Sequence, residues 1–138
     1  MLLPHSQKSS ALKTLTPFLH DDAVTTPSIR PQVEQAIDEC DAQLTPVPAE
    51  RLKQVMARLM LHFGYDGAKA RTLCADYSGM LQHYPEDLLC AAYLHVLKHY
   101  SALPPASEFI AFMEPEMRYR KTVRRRLETL LEETEAAV

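Results

Sequence analysis

The amino-acid sequence predicts an all-α protein, a compact bundle of about six helices with a long C-terminal helix and a flexible N-terminal arm. Three observations carry this expectation. From residue 28 onward, apolar residues recur at three- and four-residue spacing. The ten prolines sit mostly between those apolar runs, where they punctuate helices. Only three glycines occur, Gly64, Gly67 and Gly79, too few for a series of glycine-turned hairpins.

Taken in order, residues 1–28 carry scattered apolar residues among eight Ser or Thr and three prolines. This composition predicts a mobile arm, within which 11–19 can form a short helix or dock on the body. The helical domain is expected over 29–138. Ser28 can cap a first helix, with Pro31 tolerated in its first turn. Ile29, Val33, Ala36, Ile37, Cys40 and Leu44 then mark one face. The run TPVP ends that helix. A second helix, over about 48–63, carries Leu52, Val55, Met56, Leu59, Met60 and Phe63 on one face, and Gly64 ends it.

The third helix covers about 68–83 and is expected to bury Ala70, Leu73, Cys74, Tyr77, Met80 and Leu81, with Gly79 weakening it. A fourth opens at Pro85 with acids in its first turn, which suits the helix dipole. It is the most apolar of all, which marks it as the central core helix. A short fifth helix follows Pro104 and Pro105 and ends near Met113. Pro115 is then expected to start the sixth and last helix, running to about residue 135.

Composition excludes several function classes. The net charge is −3 and the pI near 6.0, so overall electrostatics do not draw the chain to nucleic acid or anionic membrane. Cys40, Cys74 and Cys90 form no CxxC pair, so they read as reduced, buried apolar residues. The first residues lack the pattern of a signal peptide, and no run is long enough to span a bilayer. The expected location is the cytoplasm.

Catalytic signatures are equally scarce. No strand-to-helix nucleophile elbow and no phosphate-cradling glycine loop can be read, so the chain is expected not to be an enzyme and to need no cofactor. His95 and His99 share a helical face and could hold one metal, but no local ligand completes the set. They are read as polar positions on an apolar helix, with no metal site expected. Tyr77, Tyr84 and Tyr93 are expected to place rings in the core and hydroxyls at its margin.

The C-terminal helix holds the most distinctive pattern. Arg118, Arg120, Lys121, Arg124, Arg125 and Arg126 come before Glu128, Glu132, Glu133 and Glu135, an order that opposes the helix dipole. Tyr119, Val123, Leu127, Leu130, Leu131 and Thr134 form a mostly apolar stripe bordered by Arg120 and Arg126. Arg124 lies one turn before Glu128. The cations can be a solvated outer face, a strip for phosphates, or a docking face for an acidic protein.

The stretch 75–131 resembles small proteins of bacterial prophages. The resemblance rests on Tyr84, Pro85, Asp87, Leu88 and Leu89, an alanine-containing core helix, then Pro104 with Glu108, and an arginine-rich last helix. Residues 36–63 are similar to the same proteins. More distantly, a proline-started apolar helix followed by Pro-Pro-x-x-Glu resembles phage helicase loaders. The arginine-rich helix and the Ser/Thr-rich arm depart from those loaders. The resemblance implies a non-enzymatic replication adaptor that binds a replicative helicase. Its contact face would be Arg118, Lys121, Arg124 and Arg125, with Phe109 and Phe112 as aromatic anchors or, alternatively, as core residues. A DNA-binding regulator and a self-associating phage assembly protein stay open as alternatives, and neither the partner nor the oligomeric state is fixed.

Overall fold

The computed structural model describes residues 29–136. Among them are five helices and no strand: α1 (Arg30–Leu44), α2 (Ala49–His62), α3 (Gly67–Leu81), α4 (Glu86–His99) and α5 (Ala106–Ala136). The all-α class therefore holds, with one helix fewer than the sequence suggests. The expected N-terminal arm lies outside the described residues. No described helix is long and apolar enough to cross a membrane.

The missing break is at Pro115. It lies inside α5, so the expected fifth and sixth helices are one. Proline removes the amide that would bond the carbonyl of Ala111. Both Ala111 and Pro115 are exposed, so water can take the freed carbonyl, as it does on the solvent side of long helices. The cost, about 3 kcal/mol, is outweighed by burial of Phe109, Met113, Val123 and Leu127 on either side, each contributing about 1.5–3 kcal/mol.

The chain divides into two compact units. The first is Thr45–Met117, comprising α2, α3, α4 and the start of α5. In it α2 packs against both α3 and α4. Leu52, Val55, Met56, Leu59 and Met60 of α2 are buried with Leu88, Leu89, Ala92 and Val96 of α4. From α3 only Tyr77 and Leu81 are buried. Ala70, Leu73 and Cys74 are half-buried and Met80 is 48% exposed, which corrects the broader core face expected there.

Three tyrosine hydroxyls fasten this unit. Tyr77 donates to the carbonyl of Pro104 at 2.6 Å, Tyr84 to Glu114 Oε2 at 2.6 Å and Tyr100 to Glu108 Oε2 at 3.0 Å. Each joins a residue before the Pro104–Pro105 step to one at or beyond it. The amide of Val47 adds a bond to the carbonyl of Tyr84 at 2.9 Å. The turn after α2 is closed by Gly64 N–H on the carbonyl of Leu61 and Tyr65 N–H on that of Met60, the paired bonds of a Schellman motif. Gly64 has φ +82° there.

The second unit, residues 29–44 and 118–136 among those described, pairs α1 with the end of α5. Val33, Ala36, Ile37 and Cys40 pack with Val123, Leu127 and Leu130. Thr134 is fully buried and its hydroxyl donates back to the carbonyl of Leu131 at 2.7 Å.

Two stability predictions result. Gly64→Ala should cost about 1–2 kcal/mol, because a side chain is strained at positive φ. Gly79→Ala should stabilise by about 0.5–1 kcal/mol, since a β-carbon there meets nothing within 4 Å. Urea unfolding of both variants checks the pair. The second concerns Tyr84, whose phenol is pushed up to about 12 by burial and then by its bond to Glu114. A phenol raised above its unfolded value near 10 stabilises fully below that pH and loses the contribution as pH rises toward 12. Tyr84→Phe should cost about 1 kcal/mol at pH 7 and flatten the alkaline limb of the stability profile, measured by unfolding from pH 7 to 12.

Candidate partner-binding surface

The cations of α5 do not act as one set. Arg120 is 3% exposed and its guanidinium donates to the carbonyl of Gln43 at 2.7 Å. That carbonyl belongs to the last turn of α1, which lacks internal partners and carries the negative end of the helix dipole. Arg124 pairs with Asp41 of α1 and with Glu128 one turn on. Its hydrogen bond to Asp41, and then the charge of that same carboxylate, hold its own proton more tightly than usual. These two arginines serve the α1–α5 packing, so the sequence-based contact face loses Arg124 as an uncommitted cation.

Arg118, Lys121 and Arg125 remain. All three are exposed, and none forms an ion pair with a described residue. Their spacing of three and four residues sets them on one helical face, over about 10 Å at 1.5 Å per residue. The guanidinium and ammonium groups in that line can meet carboxylates or phosphates, with the arginines able to bind bidentately.

The two aromatic candidates separate as well. Phe109 is fully buried, edge-on to Tyr77 at 6.0 Å between ring centres, and serves the core instead of a partner. Phe112 is half-buried, with its ring flat against His95 at 4.3 Å and 10°. Both belong to the first unit, whereas Arg118, Lys121 and Arg125 belong to the second.

The cysteines carry no evident chemistry. Burial, then the adjacent Asp41, pushes the Cys40 thiol up to about 11, and burial also raises Cys74. A thiol held protonated is a poor nucleophile.

One surface feature escaped sequence reasoning. An apolar groove of about 900 Å³ runs between α2 and α3, lined in part by Ala57, Met60, Leu61, Ala70, Cys74 and Gly79. Leu61 is 72% exposed at its margin. Of its α3 wall, the periodicity assigns Ala70 and Cys74 to a buried face.

Comparison with family models, curated proteins and solved structures gives no match.

The division of labour among the arginines is directly testable. Arg120→Ala should destabilise by about 2 kcal/mol, the range for a buried charge-assisted hydrogen bond. Arg118→Ala, Lys121→Ala and Arg125→Ala should each stay within about 0.5 kcal/mol of the parent. Thermal unfolding of the four variants separates structural from available cations.

Proposed function

We propose that this protein is a non-enzymatic cytoplasmic adaptor that docks on an acidic surface of a partner protein through Arg118, Lys121 and Arg125. The supporting observation is the partition of charge on α5: Arg120 and Arg124 hold α1, while these three face solvent without ion pairs to any described residue. Selection for stability alone gives no reason for three cations in line without ion pairs among the described residues, because exposed charges contribute little to folding. The resemblance to prophage proteins and, distantly, to helicase loaders makes a bacterial replicative helicase the first partner to test. In that role the cations set orientation and speed of encounter, and apolar contact supplies the affinity.

The same strip fits the phosphates of DNA, so the decisive experiment presents both ligands. Binding of the full chain to a purified replicative helicase, to duplex DNA and to single-stranded DNA is measured at low and moderate salt. Helicase binding should persist at moderate salt. The triple variant Arg118→Glu, Lys121→Glu, Arg125→Glu should weaken it at least about tenfold, equivalent to about 1.4 kcal/mol. Binding to DNA alone, falling steeply as salt rises, would replace the adaptor with a DNA-binding regulator. Silence toward all three ligands would remove both readings in favour of an assembly role.

A further inference from the structure

The C-terminal half of α4 holds two imidazoles on one face. His95 and His99 are four residues apart, and their ring centres lie 4.5 Å apart at 44° between planes. Two imidazoles bound side by side to one ion, each at about 2.0–2.1 Å, set their ring centres about 4.5–5 Å apart. The spacing leaves both rings within reach of one ion.

The two rings are held differently. His95 is half-buried and lies flat on Phe112 at 4.3 Å, with Tyr100 edge-on at 6.3 Å. These contacts fix its plane before any ligand arrives. His99 is exposed and can turn to complete the pair. A cavity of about 390 Å³ adjoins them, bounded also by Ala91, Leu94, Leu97 and Lys98, with room for water on an ion. The site also lies at the C-terminal end of α4, where the helix dipole favours a cation, although Lys98 opposes this locally.

We propose that His95 and His99 bind one late first-row divalent cation, copper(II) or nickel(II), with water filling the remaining positions. The choice of metal follows from the donors. Among the described residues no three His, Cys, Asp or Glu side chains converge on a metal position, whereas a closed structural zinc site takes four protein ligands. Two nitrogens and several oxygens suit copper(II) and nickel(II), and magnesium and calcium prefer carboxylates and carbonyls.

The test is calorimetric titration of the full chain with copper sulfate, nickel chloride and magnesium chloride. One ion per chain is expected for copper and nickel, copper binding more tightly, with no magnesium uptake. Electron paramagnetic resonance of the copper form should show two coordinated nitrogens. His99→Asn alters an exposed side chain, so it should keep the parent's helical circular dichroism while weakening copper at least about tenfold, on the scale of losses at metal sites. Phe112→Leu should weaken binding less and leave the stoichiometry at one. Retained affinity in His99→Asn would assign the metal to other histidines and overturn the site. So would the absence of saturable copper uptake by the parent chain.

Discussion

The described architecture depends on one helix keeping its apolar register for its whole length. Along α5, Ala106, Phe109, Met113, Glu116, Arg120, Val123, Leu127, Leu130 and Thr134 are all buried. Their spacing alternates three and four residues without a slip, the repeat of a heptad seam. Each unit takes one stretch of this seam, Phe109 and Met113 for the first and Val123, Leu127 and Leu130 for the second. Pro115 falls on the opposite, exposed face. A proline there costs one hydrogen bond but displaces no seam residue, so the helix runs through it.

The middle of the seam is polar, and that fact organises the charges. Glu116 and Arg120 are both 3% exposed. A guanidinium so deep needs partners, and the carbonyl of Gln43 is one of them. The same packing brings Arg124 to Asp41. The arginine run thus contains residues that complete α1 and residues that do not. Arg118, Lys121 and Arg125 fall in the second class because helical geometry turns them from the seam, not because their sequence neighbourhood differs.

In the first unit the comparable role belongs to tyrosine. Tyr77, Tyr84 and Tyr100 each bury part of a ring and send a hydroxyl to an acceptor at or after Pro104. A prolyl step cannot itself donate, so side-chain donors supply the hydrogen bonds that hold the incoming end of α5. The stacking of Phe112 on His95 adds a further tie from α5 to α4, and it leaves the histidine pair on a fixed support.

The sequence by itself determined the helical class, four of the five helix positions to within a few residues, the Gly64 stop and the apolar faces of α1 and α2. Those features are local: spacing, caps and φ preferences act over a turn or two. The seam of α5 was also written in the sequence, but Pro115 masked it, because proline's local cost is visible there and the burial that offsets it is not. Which α3 residues are buried, which phenylalanine is core and which arginines are occupied were decided only by tertiary structure. Phe109 and Phe112 share a helix and a residue type, yet Tyr77 encloses the first while His95 covers only part of the second. Arg124 and Arg125 are adjacent in sequence, and only the first meets Asp41 from a helix far away in the chain. Burial and pairing belong to neighbours distant in sequence, and no local pattern records who those neighbours are.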